Sequence, residues 1–197
     1  MHERLILIPE EVDDLAARFG TPQREHVRLD VGEDFFMPWE GKFYSRRGEV
    51  MFLLPRPGGL LVHRKAHYPP NVWRLLTGGI ELGERVEEAL LREPEEEIGF
   101  TPPVRRFVGV LTYDIGIGER RVDFATYIFL MGYSDHPIRQ GEGEEIAEAR
   151  EVPLSALPTI AHNLRSLPGR WRDWGRFRAV AHDLVAKWVR EDEVRAE

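Results

Sequence analysis

The stretch GGIELGERVEEALLREPEEEIGF, residues 78–100, decides how this sequence is interpreted. It opens with glycines, continues with an apolar period typical of a helix, and ends in a run of acids before Gly99. Acids at the C-terminal end of a helix are disfavoured, because the last carbonyls leave a partial negative charge there. The cost is about 0.3–1 kcal/mol for each exposed carboxylate. Something must therefore offset these acids.

Three of the acids share one side of the predicted helix. Glu93, Glu96 and Glu97 continue an apolar stripe that begins at Val86, with the spacing i, i+3, i+4, i+7, i+10, i+11. A solvated acidic helix is the ordinary alternative, since exposed glutamate is common. The glycines before and after the helix allow a tight loop to fold against it, which favours a binding site over a solvated helix. Carboxylate oxygens suit magnesium or manganese, and magnesium held by carboxylates typically also binds substrate phosphates.

Two residues inside this helix complicate the pattern. Arg92 follows Glu88 by four residues and Glu84 by eight, so we expect it to pair with those acids and not with the clustered three. Pro94 has no N–H for the carbonyl of Leu90, and its ring crowds that carbonyl. We therefore expect a kink or a displaced last turn.

Composition narrows the function classes. The 197 residues carry a net charge of −7, which gives no positive footprint for nucleic acid or an anionic membrane. The sequence has no cysteine, which excludes disulfides, thiolate zinc sites and cysteine nucleophiles. Pro9 breaks the first apolar run, and no later run approaches about 18 residues. We expect a cytoplasmic protein with small-molecule partners.

The quoted stretch resembles the Nudix box, the signature of the Nudix (MutT-like) hydrolases. That pattern reads Gly, five residues, Glu, seven residues, Arg-Glu, an aliphatic, any residue, Glu-Glu, any residue, Gly, an aliphatic. The positions that match are Gly78, Glu84, Arg92, Glu93, Glu96, Glu97, Gly99 and, as the last apolar residue, Phe100. Pro94 departs from the pattern at the first aliphatic position.

The resemblance implies roles for these residues. Glu93, Glu96 and Glu97 would bind Mg²⁺ or Mn²⁺, with a carbonyl near Gly78 as a further ligand. Glu84 and Arg92 would pair to brace the loop. The implied activity is hydrolysis of a nucleoside diphosphate linked to another group.

The general base varies within this family. Glu93 is one candidate. The segment GEGEEIAEAREV, residues 141–152, offers others, among which Glu145 is our first choice, with Glu144 and Glu148 as alternatives. A solvated loop glutamate is the equal alternative for Glu145.

Substrate phosphates also need cationic donors. Arg74, just before the box, and Arg64 and Lys65, at the end of the preceding strand, could supply them, because guanidinium pairs bidentately with phosphate. Each could equally be a surface charge. Aromatic residues that could stack on a base, or belong to the core or a subunit contact, are Trp73, Phe35, Phe36 and Trp39.

The remaining sequence alternates strand and helix patterns. PRPGG (55–59) and GIGER (116–120) are turn sequences that predict β-hairpins. Residues 32–47 show no clean period and predict a loop or interface. The predicted strands are 4–8, 26–31, 49–54, 60–64, 73–76, 105–113, 122–131 and 147–152, and the predicted helices besides the quoted one are 9–19 and 175–191.

This order predicts an α+β or α/β fold, a Nudix-like α/β/α sandwich with a mixed β-sheet between helices. We divide the chain into an extension, residues 1–46, which could cover the substrate or form a homodimer, and a Nudix domain, residues 47–197. A competing hypothesis is a nucleotide-binding or sensing module that has lost catalysis. Two residues support this hypothesis: Pro94, and Glu151, which stands at a position where the family often has an aromatic residue.

Overall fold

The computed structural model describes residues 6–139 and 146–195. Its helices are α1 (Pro9–Phe19), α2 (Glu33–Ser45), α3 (Val86–Ile98), α4 (Leu157–Arg165) and α5 (Arg172–Trp188). Its strands are β1 (Gln23–Asp30), β2 (Arg46–Leu53), β3 (Pro55–Arg56), β4 (Gly59–Lys65), β5 (Arg74–Glu81), β6 (Val104–Ile117), β7 (Arg120–Met131) and β8 (Ile146–Val152).

The strands form a mixed sheet in the order β1-β6-β7-β2-β5-β4-β3, with β8 paired to β4. β1 runs parallel to β6 and β2 parallel to β7, while the other pairs are antiparallel. β5, which leads into the box helix α3, lies beside β2, and Gly78 is opposite Val50. The predicted mixed sheet is confirmed.

Alternation along β2 shows how the sheet is covered on both faces. Val50 and Phe52 pack into the cluster that holds the buried sides of α1 and α3, whereas Met51 and Leu53 pack into the cluster that holds those of α2, α4 and α5. Successive strand residues point to opposite faces, so both sets of helices bury their apolar sides against one sheet. The helix–sheet–helix arrangement is the predicted one.

Two elements differ from the sequence prediction. Residues 32–47 are not a loop: residues 33–45 form α2, which buries Phe35, Phe36 and Phe43, and residues 46–47 begin β2. Pro38 inside this helix and aromatic residues on several sides of it conceal the period. The helix α4 was not predicted either.

The first predicted hairpin is also wrong in its pairing. β2 pairs with β5 and β7, whereas β4 pairs with β5 and β8. Residues 49–54 and 60–64 therefore do not pair with each other, and the turn at 55–59 joins β4 to the two-residue strand β3 instead. Both β2 and β4 are buried on both faces, and such strands carry no alternation that identifies a partner. Of predicted strand 4–8, residues 6–8 are not in a strand, and the rest lies outside the described residues.

The N-terminal region is packed into the same sheet through β1 and α2, and the division of domains at residue 46 stays a prediction. None of the helices in the described part of the chain is both long enough and apolar enough to cross a membrane.

Candidate active site

The box strand and the box helix touch at Gly78 and Glu93. A Cβ atom built on Gly78 would lie 2.0 Å from the carboxyl carbon of Glu93, so any larger residue would displace this carboxylate from its position. The contact fixes the Glu93 side chain against β5. A glycine is required here by close approach and not by backbone conformation.

Arg92 is the centre of the ion-pair network beneath the loop. Its guanidinium donates to both carboxylate oxygens of Glu84 at 2.9 Å and to the carbonyl of Gly79 at 2.9 Å. It also donates to Glu93 at 2.8 Å and to Glu96 at 3.1 Å. The loop before α3 is thereby tied to the helix.

The expectation that Arg92 would avoid the clustered acids is wrong, because it binds two of them. Glu88, its other predicted partner, instead accepts a hydrogen bond from the backbone N–H of Arg85 at 2.8 Å. That bond satisfies one N–H at the start of α3.

The start of α3 also depends on a distant carboxylate. Arg85 precedes the helix and has no side-chain acceptor, so it cannot cap the first N–H groups itself. Glu11 of α1 accepts from the N–H of Val86 at 2.7 Å and from Arg47 at 2.6 Å. Both charged side chains are buried. A residue of the N-terminal region therefore anchors the box helix.

Pro94 does not end the helix. α3 continues through it to Ile98, and Gly99 stops the helix at a φ of 80° while its N–H donates to the carbonyl of Glu95. Thr101 donates to the carbonyl of Leu91 at 2.9 Å. The last turn, which carries the clustered acids, is therefore held at its end.

A cavity of about 580 Å³ opens beside the box. Its acidic residues are Glu49, Glu81, Glu93, Glu96 and Glu97. Its basic residues are Lys42, Arg46, Lys65, Arg74, Arg92 and Arg178, and its large aromatic residues are Trp39, Phe43, Tyr68, Phe124, Trp171 and Trp174. The predicted carboxylates thus share one cleft with cations and aromatic rings.

The three box carboxylates differ in exposure. Glu97 is 2% exposed and Glu93 8%, whereas half of the Glu96 side chain is accessible. Burial raises the pKa of Glu93 above its ordinary value, and its bond to Arg92 opposes that rise.

Carboxylate oxygens are the ligands that a hard divalent cation prefers, and all three box carboxylates reach the cavity wall. In the part of the chain that the structure describes, no three acidic or histidine side chains already form a metal cage. Arg92 holds Glu93 and Glu96 through hydrogen bonds, so both would have to turn from it toward a metal.

Arg74 is the buried cation of the cavity. It is 4% exposed and donates to neutral acceptors: the hydroxyl of Tyr68 at 2.8 Å, the hydroxyl of Thr77 at 2.8 Å and the carbonyl of Leu75 at 3.0 Å. It makes no ion pair with any residue in ranges 6–139 and 146–195. Burial alone would lower its pKa, but Tyr68 and the carboxylates of Glu97 and Glu49, which act on its charge from a distance, raise the pKa.

Other predicted residues lie elsewhere. Arg64 does not line the cavity, because its guanidinium is paired with Glu148 on the neighbouring strand. That pairing also removes Glu148 from the site. Glu145 lies outside the described residues. Trp73 stacks under Arg150 away from the cavity.

Sequence reasoning missed several cavity residues. Glu49 and Arg178 form a buried ion pair across 129 positions of sequence, in which one guanidinium nitrogen donates to both carboxylate oxygens at 2.7 and 2.8 Å. Lys42 lies on α2, and Arg46 begins β2 directly after it; both fall in the stretch 32–47 that was predicted as a loop. The helical spacing of Trp39, Lys42 and Phe43 is the signal that could have found α2 and, with it, Lys42.

Comparisons with known proteins agree with the box. A family model described as the NUDIX domain matches residues 45–174. The NAD-capped RNA hydrolase NudC of Chromobacterium violaceum is 33% identical over 129 residues, covering 62% of this chain and 46% of that protein. An ADP-ribose pyrophosphatase of Methanocaldococcus jannaschii is 29% identical over 115 residues, covering 58% and 66%. The chain therefore spans less than two thirds of each relative.

A solved structure shares the fold. The MutT NUDIX hydrolase from Burkholderia pseudomallei superposes with a TM-score of 0.50 at 19% identity, over 74% of this chain and 98% of that one. At this identity the likeness concerns the fold alone.

Proposed function

Because the chain belongs to the NUDIX domain family, we propose that it is a divalent-metal-dependent hydrolase. Its substrate would be a nucleoside diphosphate linked to another group, cleaved at the pyrophosphate bond. The observation that carries this proposal is that Glu93, Glu96 and Glu97 line one cavity with the buried Arg74. The names of the two relatives point to an NAD cap and ADP-ribose, and both molecules contain such a diphosphate.

Glu93, Glu96 and Glu97, with the carbonyl of Gly78, would hold Mg²⁺ or Mn²⁺. Bound there, the metal would neutralise pyrophosphate charge and lower the pKa of a bound water. Glu84 and Arg92 would act as the brace that keeps the loop and the helix in place.

Glu93 is the general base that the described residues support best. Its burial favours the protonated carboxyl, which suits a group that must accept a proton. Glu93 would take a proton from the water that attacks one phosphorus, and the other phosphate would leave with the bonding electron pair. Glu145 remains the alternative base outside the described residues.

Arg74 would bind a substrate phosphate. Its side chain is held in place by three hydrogen bonds to neutral groups, so its charge is oriented before a ligand arrives. Arg64 is not part of this proposal, because Glu148 already pairs with it.

The second candidate function is a nucleotide-binding or sensing module without catalysis. Two observations favour it: Pro94 interrupts the hydrogen bonding of α3, and Arg92 holds Glu93 and Glu96. The aromatic residues of the cavity would serve such a module equally well.

A hydrolysis panel separates the two. The full chain is incubated with nucleoside triphosphates, ADP-ribose, dinucleoside polyphosphates, NADH and nucleotide sugars, with Mg²⁺ or Mn²⁺ and in parallel with EDTA. Product masses identify the bond that breaks. Cleavage of a P–O–P bond that EDTA abolishes supports the hydrolase, whereas nucleotide binding without turnover supports the module.

A further inference from the structure

One side of α2 forms a wall of the cavity next to the box. Trp39, Lys42 and Phe43 follow the helical spacing i, i+3, i+4, and Arg46, the first residue of β2, comes directly after the helix; all four line the cavity. α2 lies almost wholly before the segment that the family model matches. Trp39, Lys42 and Phe43 therefore lie outside the matched segment, whereas Arg46 lies inside it.

Neither of the two cations on this wall forms an ion pair within residues 6–139 and 146–195, although the charge of Arg46 acts on Glu93 from a distance. Lys42 places its ammonium 4.7 Å above the ring of Trp39. Arg46 packs its guanidinium over Gly79, where a Cβ atom would lie 2.5 Å from the guanidinium carbon. Glu81 is opposite Arg46 in the register of β2 and β5, yet no ion pair joins them.

The surroundings of Lys42 are positively charged. Burial lowers the pKa of its ammonium, and repulsion from Arg46, Arg178 and Lys65 lowers it further. The nearby acid Glu49 is engaged by Arg178 through two hydrogen bonds. A group of like charges kept on a cavity wall raises the local potential and attracts an anion.

The position of Lys42 at the end of α2, with Arg46 directly after the helix, does not explain the cluster by itself. The C-terminal carbonyls of a helix favour nearby cations, and Lys42 is in the last turn of α2. Cations that face solvent would interact with those carbonyls equally well. This effect does not account for two cations on the cavity side, next to Arg178.

The order of these residues along the chain shows where an anion would bind relative to the box. Arg46, at the start of β2, touches Gly79 of the box strand. Lys42 lies in the last turn of α2 just before it, and Trp39 lies about 4.5 Å further along the helix axis. A substrate held at the box and extended along α2 would meet a cation first and an aromatic ring next.

We propose that Lys42 and Arg46 form an anion-binding subsite that takes a substrate phosphate beyond the diphosphate held at the box. Substrates with a longer phosphate chain are then preferred over a simple diphosphate ester. This inference rests on the proposed function for its role in specificity, but the binding of the anion can be measured without catalysis.

The first test measures binding of inorganic tripolyphosphate in EDTA by calorimetry. Lys42→Met keeps the apolar stem against Trp39 and removes only the charge. Lys187→Met is the matched control, because Lys187 is likewise an exposed lysine in the last turn of a helix, α5, and does not line the cavity. We expect Lys42→Met to weaken binding about tenfold, Lys187→Met to leave it unchanged, and Lys42→Arg to restore it.

The second test measures the ratio of kcat/KM for a nucleoside triphosphate to that for ADP-ribose. Lys42→Met is expected to lower this ratio about tenfold, with Lys187→Met unchanged. If no substrate is hydrolysed, the proposed function fails, and tripolyphosphate binding alone decides the subsite. Equal binding by both methionine variants, or no binding by the unaltered chain, overturns the subsite even where hydrolysis is found.

Discussion

The carboxylate of Glu11 accepts a hydrogen bond from the backbone N–H of Val86 at 2.7 Å, across 75 positions of sequence. Its other oxygen binds Arg47 at 2.6 Å. Two further nitrogens of Arg47 are buried without a hydrogen-bond partner among the described residues, so Arg47 depends on Glu11. The first helix of the chain therefore holds both the start of the box helix and a buried charge.

Glu11→Ala is expected to lower the free energy of unfolding by about 3–5 kcal/mol. The substitution leaves the Arg47 charge buried and uncompensated, and it removes the acceptor of the Val86 N–H. Urea denaturation measures the change. Glu10→Ala, an exposed neighbour on α1, is the control and should change stability by less than about 0.5 kcal/mol. Equal effects of the two variants would disprove the anchoring role.

Gly78→Ala is expected to impair the proposed metal site while the protein still folds. The new methyl group would overlap the carboxylate of Glu93, which must move. A displacement of about 1 Å in a catalytic group can reduce the rate about 100-fold. The measurements are Mn²⁺ affinity and hydrolysis rate, with circular dichroism to confirm folding.

Gly41→Ala is the matched control for that substitution. Gly41 lies in α2, and nothing is within 4 Å of the position of its Cβ atom. Alanine there should stabilise the helix by about 0.5–1 kcal/mol without loss of metal affinity. Unchanged Mn²⁺ affinity in Gly78→Ala would show that Glu93 does not ligate the metal.

Stability should fall as the pH drops from 6.5 toward 4. His182 is fully buried, accepts from the N–H of Leu75 and donates to the carbonyl of Arg178, and the bond that it accepts requires the neutral ring. Burial lowers its pKa from 6.5 to about 4. Between these values the unfolded chain binds more protons than the folded protein, so acid favours unfolding.

Over that pH range, protonation of His182 is expected to lower the free energy of unfolding by up to about 3 kcal/mol. Burial also lowers the pKa of His63, which adds to the loss. Glu84, whose pKa lies below 4.5, loses its contribution only at lower pH. Urea denaturation at several pH values tests this, and a free energy of unfolding that stays constant from pH 6.5 to 5 would contradict it.

The box could be read from sequence because its information is local. Glu93, Glu96 and Glu97 are placed on one side by the helical period, and a glycine stop follows at Gly99. Neither inference needs a partner from elsewhere in the chain. The same holds for the helix 9–19, which begins at Pro9 and ends before Gly20 as predicted.

The opposite wall of the cavity could not be read in this way. Its ion pair joins Glu49 of β2 to Arg178 of α5, and no period or spacing relates positions so far apart. α2 was missed because Pro38 and its aromatic residues conceal the helical pattern, and Lys42 and Arg46 were missed with it. The Glu11 anchor likewise exists only after α1 packs beside α3.

The most direct test of the proposed hydrolase is the rate of Mg²⁺-dependent hydrolysis, with the best substrate from the panel, by the unaltered chain, Glu97→Gln and Glu95→Gln. Glu97 is buried at the cavity, whereas Glu95 is exposed two residues earlier and does not line it. We expect Glu97→Gln to lower the rate at least about 100-fold and Glu95→Gln to leave it nearly unchanged. Equal rates for the two variants would contradict a catalytic role for the box carboxylates.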